Sequence, residues 1–193
     1  SSFVAQRIKK YYRRDAEVIH PPVNTQKFSI SKEPENYLLA VGRLIPYKKF
    51  DLIIQACNTL QIPLKIAGTG PEEAKLKKMA GPTVQFLGRV DDEKLQELYS
   101  KCKAFIFPQL EDFGITPIEA MASGRPVVAY KAGGALDFIE EGKTGIFFEE
   151  QTEQGLIEAI KKLDHTTFNP EDIKKHAENF SVDTFLKKID HCI

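Results

Sequence analysis

Arg43 and Lys48 stand five residues apart, with Pro46 between them, just after an apolar run that stops at Gly42. Two cations across a turn suit a diphosphate, because arginine grips oxygens with a planar fork and lysine acts as a point charge. Spacing alone favours the plainer reading, a pair of solvated surface cations. The most informative stretch is Glu111-Asp-Phe-Gly-Ile-Thr-Pro-Ile-Glu119. Thr116 to Glu119 fits a capping box with Pro117 at the first helical position. Gly114, Ile115 and Thr116 would then present backbone N–H groups at a helix N-terminus, where unpaired donors and the helix dipole both favour phosphate. Glu111 in the loop and Glu119 on the first helical turn can face one cleft and accept hydrogen bonds from sugar hydroxyls. A capping box explains Glu119 without any ligand, and Glu111 is otherwise an exposed loop acid, so this segment alone leaves the two readings balanced.

Three further turns have the composition of ligand loops. Gly68-Thr-Gly70-Pro71-Glu72 allows a tight turn with Pro71 opening a helix. It is not the dinucleotide fingerprint, because the third glycine is replaced at Glu73, and a plain strand–helix turn is slightly favoured. Gly88-Arg89-Val90-Asp91-Asp92 offers backbone at Arg89 and Val90 to a ligand, with Asp91 or Asp92 as N-cap. Lys131-Ala-Gly133-Gly134 permits close approach of a ligand or merely a sharp turn. No metal site is expected: the four histidines and three cysteines have no ligand spacing, and no Asp-x-Asp occurs. His20, before Pro21, reads as the end of a strand.

The elements that must position these residues follow from periodicity. Runs at 37–41, 64–67, 84–87, 104–107, 126–130 and 145–148 are short and apolar, the mark of a parallel sheet covered on both faces. Helix-spaced segments alternate with them, as in Phe50, Ile53, Ile54 and Cys57. This β-α alternation predicts an α/β fold, a doubly wound parallel sheet of Rossmann-like type, in one domain. A helix is expected over 1–12, a short strand over 17–20, and three helices over 152–163, 170–179 and 181–191, with Ser181 as an N-cap.

The chain has 193 residues, 42% hydrophobic and 28% charged, with 27 basic and 27 acidic residues. That composition suits a globular protein with its own core, and the zero net charge argues against broad attraction to nucleic acid. An odd cysteine count without Cys-x-x-Cys spacing fits a reducing, cytoplasmic setting. No run approaches the length needed to span a bilayer. The start at Ser1, without an initiator methionine, reads as a fragment.

Taken in order, these stretches resemble the C-terminal domain of glycosyltransferase family 4, retaining enzymes of GT-B architecture. Ser2-Phe-Val-Ala-Gln-Arg-Ile and Val18-Ile-His-Pro-Pro-Val-Asn24 look like the opening of that domain. Val41-Gly-Arg-Leu44 with Lys48 looks like its diphosphate grip. Gly68-Thr-Gly-Pro71, Phe86-Leu-Gly88 and Leu98-Tyr99 match further landmarks, Glu111 through Glu119 reproduces the E-x7-E motif, and Phe180-Ser181 with Phe185 resembles the closing segment. Two departures stand out: Asp112 and Lys49 occupy positions where glycine is common. Asp112 before Phe-Gly-Ile is similar to a branch containing polysaccharide mannosyltransferases, which points to GDP-mannose as donor.

The resemblance implies that Arg43 and Lys48 bind the diphosphate and that N–H groups at Gly114, Ile115 and Thr116 contact phosphate or sugar. Glu119 would hold the ribose hydroxyls, Glu111 the transferred sugar, and backbone at Arg89 and Val90 would line the base. It implies no metal and no cofactor beyond a nucleoside-diphosphate sugar as substrate. It also implies an N-terminal domain, absent from this chain, that binds a glycan or lipid-linked acceptor. Membrane contact, at the inner face, would come only through that domain, and the isolated chain would bind donor weakly and not turn over. Competing readings are a non-catalytic nucleotide-sugar-binding module and a sugar-nucleotide epimerase of GT-B shape. A dehydrogenase domain is disfavoured by the failed dinucleotide fingerprint.

Overall fold

The structure, a computed structural model, describes residues 1–192. Strands β1 (Leu38–Val41), β2 (Leu64–Ala67), β3 (Val84–Gly88), β4 (Ala104–Phe107), β5 (Val127–Tyr130) and β6 (Gly145–Phe148) form one sheet in the order β3-β2-β1-β4-β5-β6. Every pairing in it is parallel. Helix α1 (Ser2–Tyr12) precedes the sheet. Helices α2 (Phe50–Leu60), α3 (Glu73–Met79), α4 (Asp92–Lys101), α5 (Ile115–Ala122) and α6 (Ala135–Phe138) connect its strands. Helices α7 (Glu153–Asp164), α8 (Pro170–Ala177) and α9 (Val182–Cys192) follow. This is the doubly wound α/β fold that the alternating pattern predicts.

The inner strands β1, β4 and β5 are apolar throughout because each feeds two cores, whereas β2 carries Lys65 and the edge strand β3 carries the exposed Gln85. Leu38, Ala40, Ala104 and Ile106 join Ile54, Leu76, Leu156 and Ile160, so α2, α3 and α7 cover one face. Leu39, Phe105 and Phe107 join Tyr99, Ile118, Phe138, Ile173 and Phe180, so α4, α5 and α8 cover the other. Alternate residues of one strand point to opposite faces, and both are dry. Cys57 and Cys102 lie one in each core, and burial pushes both thiols up to about 12, which makes them packing residues. Helix starts at the expected caps are satisfied: Asp91 Oδ1 accepts from Lys94 N at 2.8 Å, and Ser181 Oγ accepts from Thr184 N at 3.3 Å.

Helix α3 begins at Glu73 and not at Pro71; Pro71 and Glu72 form a turn in which the Glu72 N–H donates to the Leu44 carbonyl at 3.1 Å. Residues 17–20 form no strand. Pro21 and Pro22 remove two ladder donors, and the segment's first sheet-like contact is a lone bridge from Val23 to Ser181. His20 is therefore not a strand end. Its ring stacks on Phe113 at 5.2 Å, meets Phe180 edge-on, and its Nε2 donates to Asp137 Oδ2 at 2.9 Å. The same oxygen accepts from the Ser2 backbone N–H at 2.7 Å, so Asp137 ties α1 to the sheet domain. The Asp137 side chain is only 5% exposed. Replacing it with alanine leaves both donors without this acceptor, and thermal or urea unfolding should show a loss of about 1–3 kcal/mol.

Candidate functional site

The chain runs outward from β1 through β2 to β3, then crosses to lay β4 against the other side of β1. Order reverses between β1 and β4, and the loops leaving their carboxyl ends diverge there to leave a crevice. Both loops that carry the sequence's strongest candidates open onto this point.

The loop after β1 is held from below. Leu44 is fully buried, and its N–H donates to the Thr69 carbonyl at 3.0 Å. Gly42 N–H donates to the Ala67 carbonyl at 3.0 Å. A Cβ on Gly68 would lie 1.9 Å from the Gly42 oxygen, and one on Gly70 would lie 2.4 Å from the Leu44 oxygen. These glycines let two backbones touch, which supports the plain-turn reading of that stretch. With Leu44 anchored inward, Arg43 is exposed, and no ion pair engages it among the described residues. A 3-10 turn at Pro46–Lys48 then directs Lys48 into an ion pair with Glu111. Lys49, where glycine is common in the resembling family, sits at φ 56, the left-handed conformation that glycine adopts most cheaply.

The loop after β4 is braced by its neighbours. The Glu111 carbonyl accepts from Gly134 N–H at 2.8 Å, and the Pro108 carbonyl accepts from Gln151 at 2.8 Å. A Cβ on Gly133 would lie 2.4 Å from the Glu111 oxygen and one on Gly134 2.3 Å from Phe113 Cα, so this pair of glycines also serves loop packing. Phe113 is buried among His20, Phe138 and Phe180. Gln109, 4% exposed, donates to Glu111 Oε1 at 3.2 Å, so Glu111 receives two donors, one charged and one neutral. Asp112 pairs with Arg7 of α1 at 2.8 Å, and both side chains are more than half exposed, which makes the pair worth little.

The capping box is not formed. Gly114, at φ 136, is the N-cap, and α5 begins at Ile115 with Pro117 third in its first turn. Proline fits there because N–H groups in the first turn have no intrahelical acceptor. Ile115 and Thr116 keep their expected place, with backbone N–H groups at the helix start. Glu119 moves to the second turn and caps nothing. Its Oε2 instead accepts from the hydroxyl of Tyr99 at 2.8 Å. Burial pushes the Glu119 carboxyl above its usual range, the Tyr99 hydrogen bond pulls it back, Asp92 pushes it up and Lys27 pulls it down. Tyr99 is fully buried, and burial together with Glu119 drives its phenol well above the usual value.

Arg43, Lys48, Glu111, Gly114, Ile115 and Thr116 thus gather at the switch point, with Glu119 one turn deeper. Arg89 and Val90 follow β3, two strands away. Arg89 is exposed, and Val90 packs on the core that contains Tyr99. Sequence reasoning missed Gln109 as a partner of Glu111 and Tyr99 as a partner of Glu119. Neither contact has a local signal, since the first depends on loop curvature and the second joins two helices. An open hollow of about 470 Å³ beside Glu111 is lined by Phe3, Arg7, Tyr47, Leu110 and Asp112. Tyr47, Leu110, Ile115 and Leu136 expose large apolar surface from these same strand-end loops and from α6. Among the described residues no three His, Cys, Asp or Glu side chains are grouped to hold a metal ion, and no helix is long and apolar enough to cross a membrane.

Residues 23–180 match the family described as glycosyl transferases group 1. The sulfoquinovosyl transferase of Arabidopsis thaliana is 32% identical over 84% of this chain and 34% of its own length. O-antigen chain mannosyltransferase C of Escherichia coli is 30% identical over 75% of this chain and 40% of its own length. Across such curated relatives the chain spans about a third to a half of their length. A solved glycosyltransferase from Rickettsia africae shares the fold with a TM-score of 0.86 at 22% identity, over 100% of this chain and 61% of that one. The Anabaena HepE protein in complex with UDP has a TM-score of 0.80 at 24% identity, over 91% of this chain and 56% of its own.

Proposed function

The chain belongs to the glycosyl transferases of group 1, and from that premise we propose that it is the donor-binding domain of a retaining hexosyltransferase. The observation that carries this reading is the meeting of Lys48 with Glu111 across 63 residues of sequence, at the switch point and beside an exposed Arg43. A cation pair intended for a diphosphate and a carboxylate intended for a sugar would need this adjacency.

In this reading negative charge grows on the leaving β-phosphate as the sugar departs. Arg43 and Lys48 stabilise it, together with the N–H groups at the start of α5. Positioned charges of this kind contribute a few kcal/mol each, because they are in place before the charge develops. Lys48 exchanges Glu111 for phosphate when the donor enters, which leaves the Glu111 carboxylate to accept from hydroxyls of the transferred sugar. Glu119 takes the ribose hydroxyls, and backbone at Arg89 and Val90 lines the base. Glu111 positions the transferred sugar, and the acceptor attacks the face from which the leaving group departs, as the resemblance to retaining enzymes implies. The acceptor, a glycan or a lipid-linked glycan, sits on an N-terminal domain facing the apolar rim of Tyr47, Leu110, Ile115 and Leu136. Any contact with the inner membrane face is made through that domain, and this chain alone does not turn over.

Mannose from GDP-mannose is the first donor to test, supported by Asp112-Phe-Gly-Ile and by the similarity to O-antigen chain mannosyltransferase C. The relatives named for sulfoquinovose and D-rhamnose make sugar and base the quantities to measure. Calorimetric titration with GDP, UDP, ADP and their sugar conjugates should select one base, with affinity reduced about tenfold or more by Glu119→Ala. Binding of every nucleotide alike, or undiminished binding by Glu119→Ala, would sink the assignment.

A further inference from the structure

The contact between Tyr99 and Glu119 has a role that follows once Glu119 is read as the ribose-binding carboxylate, and the inference rests on that reading. We propose that Tyr99 is a positioning residue that holds Glu119 as an oriented acceptor, so that the site distinguishes a ribonucleotide from one lacking the 2′ and 3′ hydroxyls.

A phenol in an apolar core must find a partner for its hydroxyl. Tyr99 is fully buried, and its hydroxyl donates to Glu119 Oε2 at 2.8 Å. The ring cannot swing away, because it meets Phe28 edge-on at 5.8 Å and Phe105 at 5.7 Å. Tyr99 comes from α4 and Glu119 from α5, so the bond cross-links two helices on one face of the sheet. With Oε2 engaged, the carboxylate has one fixed edge, and Oε1 has no partner among the described residues. Ribose offers two adjacent hydroxyl donors, which match a carboxylate held in one rotamer better than one free to turn.

The bond also sets the charge of the acceptor. Burial favours the neutral carboxyl, whereas the Tyr99 hydroxyl favours the carboxylate; Asp92 on α4 and Lys27 in the 3-10 turn Thr25–Lys27 act in opposite senses. Removing the hydroxyl raises the Glu119 pKa. Binding that needs the carboxylate is present above that pKa and lost as pH falls through it, so the acid limb should move to higher pH.

Tyr99→Phe keeps the ring and deletes only the donor, and Glu119→Gln gives the reference for a lost carboxylate. The probe is whichever of UDP, GDP or ADP the unmodified chain binds best, compared with its 2′,3′-dideoxy counterpart by calorimetry from pH 5 to 8. The unmodified chain should prefer the ribonucleotide by about tenfold or more. In Tyr99→Phe that preference should fall toward the Glu119→Gln value, with the acid limb shifted upward. Equal weakening of both nucleotides, or an unchanged preference and pH profile, overturns the inference while leaving the donor site standing. Failure of the unmodified chain to bind any of the three overturns the donor-site reading itself.

Discussion

Under the proposed function, Arg43→Ala is expected to lower the rate of sugar transfer by the full-length protein by about 100-fold to 1,000-fold, the usual cost of deleting one preorganised group at a developing oxyanion. Arg43 makes no ion pair among the described residues and projects from a loop whose position is set by buried Leu44, so its removal disturbs nothing that holds the fold. The melting temperature should therefore stay within a degree or two. Arg43→Lys should recover only part of the rate, since an ammonium cannot make the two parallel bonds of a guanidinium. Lys48→Ala should cost a similar factor in rate, yet with a difference that separates the two. Glu111, half-buried, would keep Gln109 as its neutral donor and lose its charged one. Donor-free Lys48→Ala should thus also be less stable, whereas Arg43→Ala should not. Single-turnover rates at saturating donor are the measurement. Rates within threefold of the unmodified enzyme for both variants would place the diphosphate grip elsewhere.

Gly68→Ala should be the most destabilising single methyl addition near the site. Its φ of 136 is strained for any side chain, and the new Cβ would fall 1.9 Å from the Gly42 oxygen, part of a backbone that the sheet holds in place. Backbone strain of about 1–2 kcal/mol and overpacking of about 1–3 kcal/mol act together, for a total of about 2–5 kcal/mol. In a domain of this size that corresponds to a fall in melting temperature on the order of 10 °C. Gly88→Ala is the control. Its φ of 66 is also left-handed, but a Cβ there meets nothing within 4 Å, so only the backbone term of about 1–2 kcal/mol remains. Equal losses from the two substitutions would show that close approach of the loops after β1 and β2 contributes nothing. Because the Gly68 loop underlies Leu44, Gly68→Ala should also weaken donor binding through Arg43, and Gly88→Ala should not.

Six strands and their helices were legible because short, mostly apolar runs alternate with helix-spaced ones, and the inner strands β1, β4 and β5, buried on both faces, are apolar at every position, a signal that needs no knowledge of their neighbours. Asp91 and Ser181 were readable as caps for the same reason: the side chain bonds to a backbone N–H three residues on. The 17–20 segment was misread because its residue types favour a strand, while no sheet edge is there to receive it and two prolines follow.

Glu119 shows where local reasoning stops. Thr116-Pro-Ile-Glu119 is a sound capping box by spacing, but Gly114 ends the preceding loop at a positive φ and starts the helix sooner. That shift turns Glu119 toward Tyr99, a contact that depends on how α4 and α5 lie on one face of the sheet. The sequence by itself determined the α/β class, the loops that carry Arg43, Lys48 and Glu111, and the family. The order in which the strands pair brought the β1 and β4 loops together, gave Lys48 its partner and assigned the paired glycines to loop packing, because proximity across 63 residues is a property of the folded sheet and of no window of sequence.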